Sequence, residues 1–136
     1  MNRLDEKIAV ITGGTQGLGA AIARQFSQVG VKGIIICGRN TDKGQAVAET
    51  IIKDTGVQVH FENADLAKVD DCRNVIASAD RLFGRVDILV NAAGLTDRGN
   101  LLNTSEELFD NMFAVNVRAP FFLMQDSAKI MIRDGI

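Results

Sequence analysis

Short apolar runs rich in β-branched residues alternate along the chain with longer segments whose apolar residues recur at helical spacing. Such runs are typical of buried strands, and the longer segments are typical of helices that cover a sheet. Four strands are predicted, at Lys7–Thr12, Gly33–Gly38, Val57–Glu62 and Val86–Asn91. Strands that are apolar along their length and separated by helices indicate a parallel sheet covered on both faces.

Three helices are expected between the strands. The second spans about Thr41–Lys53, and the third ends at Phe83, with Gly84 placed as a C′ glycine. The first is expected to pack through one apolar face and to stop near Gly30; that face consists of Leu18, Ile22, Phe26 and Val29.

A fourth helix follows the last strand. Its start carries the spacing of a capping box, from Thr104 to Glu107. The helical pattern continues to about Asp134, and Pro120 is expected to kink or break it, since proline cannot donate a backbone hydrogen bond.

Connections between parallel strands are right-handed, which suggests the strand order 3-2-1-4. The predicted class is therefore α/β, a doubly wound parallel sheet of the Rossmann type, incomplete as given. Ligands of such sheets bind at the carboxyl ends of the strands, where the strand order reverses. That point lies between strands 1 and 4, so Gly13–Gly19 and Asn91–Gly94 are expected to face each other.

The segment Thr12-Gly13-Gly14-Thr15-Gln16-Gly17-Leu18-Gly19 joins the first strand to the first helix. Glycine allows positive φ and has no Cβ, so a negative group can approach the free N–H groups of a helix start. The segment is expected to cradle a pyrophosphate; an alternative is a turn that only lets the helix pack close to the strand. The predicted contacts are Gly13, Thr15, Gln16, Gly17, Leu18 and Gly19.

Arg39 and Asn40 follow the second strand. An acidic residue in this stretch would bind the ribose 2′-OH of NAD, whereas an arginine suits the 2′-phosphate of NADP. Both residues are therefore expected to contact a cofactor, and NADP(H) is favoured over NAD(H). The alternative for Arg39 is a solvated loop side chain.

Two further strand ends carry candidate residues. Asp65, followed by Leu66, could accept a hydrogen bond from an adenine amino group or cap the next helix. Asn91 could bridge the backbone of neighbouring strands, or be a satisfied amide that stabilises the sheet end. The small residues Ala92, Ala93 and Gly94 would let the backbone approach a ligand, and residues 96–99 could line the rim of a substrate pocket.

Length, net charge and cysteine spacing restrict the partners and the cellular location that the sequence allows. The 136 residues fit one domain, and a net charge of −2 without a basic block argues against nucleic acid as a partner. No signal peptide or bilayer-spanning run is evident, which predicts a cytoplasmic protein without a membrane partner. Cys37 and Cys72 lack the spacing of a metal or redox motif. Both are expected to be buried in the protein, which is expected to reside in a reducing compartment. No metal site is predicted.

Four ordered segments resemble motifs of the short-chain dehydrogenase/reductases. Thr12–Gly19 is similar to the family's T-G-x-x-x-G-x-G fingerprint, and Asp65-Leu66 resembles its adenine-contacting aspartate. Asn91–Gly94 resembles the N-N-A-G segment, with Ala92 in place of the second asparagine. Asn116 lies where the family has its helix-borne catalytic asparagine. The resemblance covers essentially all 136 residues.

The resemblance implies NAD(P)(H)-dependent interconversion of an alcohol and a carbonyl compound. It also implies homodimers or homotetramers built partly on the fourth helix. Arg39 resembles the pattern of NADP-preferring members, although Gln16 lacks the basic residue that some of them carry just before the second motif glycine.

One departure from the family concerns the residue that donates a proton in its reaction. The family's chemistry needs a serine and a Tyr-x-x-x-Lys on later segments, and this sequence contains no tyrosine. Residues 1–136 are thus expected to be the N-terminal part of one dehydrogenase/reductase domain, inactive alone, with Asn116 its one catalytic residue here. The alternative is a non-catalytic dinucleotide-binding module or sensor. His60, the lone histidine, is expected to be structural or on the surface.

Overall fold

The computed structural model describes residues 3–97 and 99–136. Strands and helices alternate as the sequence predicts, with bounds within a few residues of those expected. A π-helical turn, Ala114–Arg118, joins the last two helices. The elements are β1 Ile8–Thr12, α1 Gly17–Gln28, β2 Gly33–Gly38, α2 Thr41–Thr55, β3 Gln58–Asn63, α3 Val69–Phe83, β4 Ile88–Asn91, α4 Glu106–Phe113 and α5 Ala119–Asp134.

The four strands form one parallel sheet in the order β3-β2-β1-β4. The predicted fold class and the order 3-2-1-4 are confirmed. Thr12 pairs in register with Cys37 of β2 and Asn91 of β4. The carboxyl ends of these strands are therefore level, and the strand order reverses beside β1.

Alternate residues of the central strands supply two hydrophobic cores. Val10 and Ile35 pack with buried residues of α3 and α5, whereas Ala9 and Ile11 pack with those of α1 and α2. All five residues of β1 are buried. This alternation is the physical basis of a doubly wound sheet, since each face needs its own helical cover.

The packing face of α1 matches the predicted one only in part, since Ile22 and Phe26 pack against the core but Leu18 does not. Its buried residues are small, namely Gly19, Ala20, Ala23 and Ser27. Ile22 and Phe26 are half-buried, while Leu18 is 70% exposed. Small residues on this face bring the helix close to the strands, while the Leu18 side chain is left in solvent.

The long C-terminal helical segment also differs from expectation. Its N-cap is Ser105, whose Oγ accepts from Leu108 N at 3.1 Å, whereas the Thr104 hydroxyl donates to the carbonyl of Asn100. Pro120 does not end the helix. The π-turn comes just before it, and Ala119 N donates to Ala114 O five residues back. A wider turn accommodates the missing proline N–H, so the helix continues to Asp134.

Cys37 and Cys72 are both free and buried, as predicted. Within residues 3–97 and 99–136, no helix is long and apolar enough to cross a membrane.

Candidate functional site

A cleft of about 480 Å³ opens at the carboxyl ends of the strands, beside the reversal of strand order. Thirteen of the fourteen residues predicted to bind a cofactor line it, and Asn91 is the exception. The thirteen are Gly13, Thr15, Gln16, Gly17, Leu18, Gly19, Arg39, Asn40, Asp65, Leu66, Ala92, Ala93 and Gly94. Segments far apart in sequence thus converge on one site because parallel strands end at one edge.

The glycines of the β1–α1 turn have different structural roles. Gly13 has φ +64° and lies against the backbone of Ala93, where a Cβ would come within 2.9 Å of the Ala93 nitrogen. A Cβ on Gly19 would clash with the Gly13 carbonyl oxygen. Gly17 has φ +54° and open space where its side chain would be. Gly13 and Gly19 are therefore needed for packing, while Gly17 keeps the cleft open.

The start of α1 leaves its amide groups without protein partners. Its N-cap, Gln16, is extended and its side chain makes no capping hydrogen bond, and the first helical bond runs from Ala20 N to Gln16 O at 3.2 Å. Within the described residues, the N–H groups of Gly17, Leu18 and Gly19 have no acceptor.

The other helix starts are less suited to an anion. Asn40 caps α2 and Ser105 caps α4, each through a side-chain oxygen. The N-cap of α3 makes no side-chain bond, but its first turn carries Asp70 and Asp71, which would repel an anion. The first turn of α1 contains no acidic residue. Of these four starts, α1 is the one that both the amide groups and the dipole prepare for a negative group.

Two cations lie at the β2 side of the cleft. Arg39 is exposed, and its guanidinium makes no hydrogen bond within the described residues. Lys43, in the first turn of α2, also lines the cleft, and its Nζ donates to Gln16 Oε1 at 3.3 Å. Lys43 was not predicted from the sequence. A signal was available, because Lys43 lies in the first turn of the helix that follows β2, and that turn is at the carboxyl end of the strand.

Asn40 has a structural use that was not foreseen. Its Oδ1 accepts from Lys43 N at 3.0 Å and so caps α2. The residue lines the cleft, but its side-chain oxygen is already engaged.

Asp65 does not cap α3. Its Oδ1 accepts from Ala67 N at 3.0 Å and so closes the turn between β3 and α3, while the N-cap position of α3 is Lys68. The N–H of Asp65 donates to Asp71 Oδ2 at 2.8 Å. Asp65 Oδ2 accepts no hydrogen bond from residues 3–97 and 99–136, and Asp65 faces the cleft together with Leu66.

Thr12 performs the bridging that was expected of Asn91. Its Oγ1 accepts from Ala93 N at 3.1 Å and donates to Val90 O at 3.5 Å. Asn91 is exposed at the end of the outer strand β4, and its side chain makes no hydrogen bond in the part of the chain described. Within residues 3–97 and 99–136, Asn91 therefore shows neither the bridging nor the buried amide that was expected.

Asn116 lies in the π-turn, outside the cleft lining. Its Oδ1 accepts from Leu95 N at 2.8 Å, and its Nδ2 donates to Leu95 O at 2.7 Å. This pair of bonds holds the segment after β4, whose residues Ala92–Leu95 line the cleft. Of the rim residues suggested from sequence, Thr96, Asp97 and Gly99 are exposed and do not line this cleft, and Arg98 lies outside the described residues.

Several further lining residues were not predicted from the sequence, Cys37, Asn111 and Val115 among them. Cys37 contributes to the cleft, and burial raises the pKa of its thiol to about 12, so it stays neutral near pH 7. Asn111 and Val115 reach the cleft from α4 and the π-turn. Helical periodicity alone could not place them, since it does not say how the last helix crosses the sheet. No cluster of three or more His, Cys, Asp or Glu suited to a metal occurs within the described residues.

The chain matches known proteins along nearly its whole length. The family model described as short chain dehydrogenase matches residues 7–135. An uncharacterised oxidoreductase of Thermotoga maritima is 38% identical over 129 residues, which cover 95% of this chain and 50% of the relative. The chain spans about half the length of the curated relatives it matches.

Solved structures agree with this match. The structure of L-sorbose reductase from Gluconobacter frateurii, complexed with NADPH and L-sorbose, has a TM-score of 0.93 at 29% identity and covers 98% of this chain and 50% of its own. A metagenomic short-chain oxidoreductase in complex with NADP has a TM-score of 0.89 at 32% identity, over 96% of this chain and 59% of its own. The resemblance expected from four motifs is confirmed: the chain belongs to the short-chain dehydrogenase/reductase family.

Proposed function

We propose that the protein is an NADP(H)-dependent oxidoreductase that interconverts a small-molecule alcohol and a carbonyl compound by hydride transfer. The observation that carries the proposal is the convergence of thirteen predicted residues on one cleft beside an uncapped helix start. The related structures complexed with NADP and NADPH support the same type of cofactor.

The residues of the cleft fit a phosphorylated dinucleotide. The free N–H groups at the start of α1 would hold the pyrophosphate, and the space at Gly17 lets it approach. Arg39 and Lys43 would hold the 2′-phosphate, which favours NADP(H), and Asp65 would accept from the adenine amino group. The segment Ala92–Gly94 would lie along the nicotinamide end. When bound, the cofactor supplies or accepts the hydride.

Hydride transfer to a carbonyl also needs a proton donor within hydrogen-bond distance of the oxygen. The family uses a tyrosine for this purpose, and the 136 residues contain none. We therefore expect these residues to bind the cofactor without turning over substrate, with Asn116 contributing through the segment it holds. A non-catalytic dinucleotide-binding module is the second candidate, because the cleft can hold a dinucleotide without any reaction taking place.

NADPH oxidation with a panel of ketones and quinones separates the two candidates. The 136 residues are assayed beside a chain extended to the natural stop of the gene. Turnover by the extended chain alone supports the enzyme, and loss of a general acid typically lowers a rate by about 10²–10⁴-fold. Binding without turnover by both supports the module. Turnover by the 136 residues would contradict the expectation that they lack the acid.

We also propose that the protein forms homodimers or homotetramers through its last helices. Five large apolar side chains spaced along one helical stripe are each more than half exposed: Phe109, Phe113, Val117, Phe121 and Met124. The rings of Phe109 and Phe113 lie 4.7 Å apart, so the stripe is continuous there. Such a surface is typical of an interface.

Light scattering tests the self-association. The parent is expected at the mass of a dimer or tetramer, and Phe113→Asp is expected to shift it toward the monomer. Leu101→Asp is the control, because Leu101 is 96% exposed but lies outside the stripe. A parent at the mass of a monomer would contradict the proposal.

A cytoplasmic location is likewise proposed, supported by two free, buried cysteines.

A further inference from the structure

The turn between β3 and α3 is held by a network of hydrogen bonds. Lys68 N donates to Asp65 O at 2.9 Å, and Ala67 N donates to Asp65 Oδ1 at 3.0 Å. Asp71 Oδ2 accepts from Asp65 N at 2.8 Å. One carboxylate oxygen of Asp65 is thereby engaged, and the other accepts nothing within the described residues. The direction of that second oxygen depends on where Ala67 lies.

Arg118 fixes Ala67 from a distant part of the chain. It lies in the π-turn, and its Nη2 donates to Ala67 O at 2.5 Å. A hydrogen bond from a guanidinium is charge-assisted and stronger than one between neutral groups. The same π-turn carries Asn116, which holds Leu95 at the other side of the cleft. One helical turn therefore anchors the loops after β3 and β4.

We propose that Arg118 is a positioning residue for recognition of the adenine ring. Ala67 is the link, because its carbonyl accepts from Arg118 and its N–H donates to Asp65. The guanidinium fixes the turn and, through it, the direction of the Asp65 carboxylate. The free oxygen of that carboxylate is the acceptor for the exocyclic amino group of the purine. This inference rests on the proposed dinucleotide function.

Two ligands that differ only at the purine test the inference. NADP and nicotinamide hypoxanthine dinucleotide phosphate are titrated calorimetrically against the full chain, because hypoxanthine carries an oxygen in place of the amino group. One hydrogen bond to a charged group corresponds to an adenine preference of about tenfold in the parent. Arg118→Met keeps the length of the side chain but removes its donors, and we expect the preference to fall to about twofold.

The controls separate positioning from general stability. Arg118→Lys retains a cation and is expected to restore part of the preference. Arg24→Met removes an exposed arginine from the middle of α1, away from the cleft, and is expected to behave as the parent. Thermal unfolding of each variant is measured in parallel, and the Tm of Arg118→Met is expected to fall by no more than a few degrees, because one exposed hydrogen bond is lost.

An unchanged adenine preference in Arg118→Met would overturn the inference and leave the proposed function standing. Equal weakening of both ligands together with a lower Tm would overturn it as well, because that result describes a purely structural arginine. A parent that binds neither ligand would contradict the proposed function, and the inference would fail with it.

Discussion

The β1–α1 and β2–α2 turns border the same cleft but treat their helix starts in opposite ways. Asn40 caps α2 by accepting from Lys43 N, whereas Gln16 at the start of α1 makes no side-chain capping bond. An uncapped start leaves amide groups unsatisfied, which stabilises neither the helix nor the fold. The difference supports the proposal that the backbone of the first turn binds a ligand, whereas the start of α2 is satisfied by the protein itself.

The two turns would also recognise a ligand by different means. The first presents backbone N–H groups at a glycine with open space, Gly17. The second presents the side chains of Arg39 and Lys43. Backbone recognition suits a pyrophosphate that every dinucleotide carries, while side chains can distinguish a 2′-phosphate from a hydroxyl. Substitutions in each turn should therefore change different properties of binding.

The largest effect is expected from Gly17→Ala. Its Cβ would occupy the space through which an anion reaches the amide groups, and φ +54° disfavours any side chain. Losing hydrogen bonds to a charged group costs roughly 1.5–3 kcal/mol each, so affinity for NADPH and NADH should both fall by about 100-fold. Fluorescence titration of each cofactor measures this.

Gly56→Ala is a matched control for Gly17→Ala. Gly56 has φ +74° and open space around its missing side chain, but it ends α2 far from the cleft. Both variants should lose similar stability, about 1 kcal/mol, since both force a side chain into the left-handed region. Equal cofactor affinity in the two variants would show that the first turn is not a ligand cradle.

The next effect concerns the choice between cofactors. Arg39→Ala should lower the ratio of NADPH to NADH affinity by about tenfold, because one charge-assisted hydrogen bond to the 2′-phosphate is lost. Lys43→Ala should lower the same ratio by a smaller factor, since the Lys43 ammonium group already donates a hydrogen bond to Gln16. Titrations of both cofactors measure the two ratios.

Lys53→Ala serves as the control for that experiment. Lys53 is an exposed cation in the last turn of α2, away from the cleft. An unchanged ratio in Arg39→Ala, or an equal decrease in Lys53→Ala, would remove the second turn from cofactor discrimination.

Those parts of the site that depend on local pattern were predictable from the sequence. Parallel strands place their carboxyl ends together, so the sequence alone predicts Gly17, Arg39 and Asp65 at one edge of the sheet. The predictions that failed depend on which of several neighbouring polar side chains makes a given hydrogen bond. Thr12 makes the bridge expected of Asn91, and a periodic pattern does not reveal which of two polar neighbours will be bonded.

Long-range geometry explains the other omissions. Val115 and Arg118 both lie in the π-turn before Pro120. Val115 lines the cleft, and Arg118 donates to Ala67 O. Proline signals a helix irregularity, but a kink, a break and a π-turn share the same sequence signal. Only the packed structure distinguishes among them, because the choice depends on contacts with other elements.

The smallest effect, and the most direct test of the capped turn, is expected from Asn40→Ala. Asn40 was predicted to bind the cofactor, but its side-chain oxygen accepts from Lys43 N. Removing this cap should lower the free energy of unfolding by about 1 kcal/mol. For a domain of this size the Tm should then fall by about 3–5 °C, and thermal unfolding measures it. The ratio of NADPH to NADH affinity should change little.

Two variants test whether loss of the helix cap causes the lower Tm of Asn40→Ala. Asn40→Asp keeps an acceptor at the same place and should retain most of the stability. Ser105→Ala removes the equivalent cap from α4, where Ser105 Oγ accepts from Leu108 N, and should lower the Tm by a similar amount without any effect on cofactor choice. If Asn40→Ala instead unfolded like the parent and lost its discrimination between NADPH and NADH, the side chain would serve the ligand. The contrast between a ligand-binding first turn and a self-capped second turn would then fail.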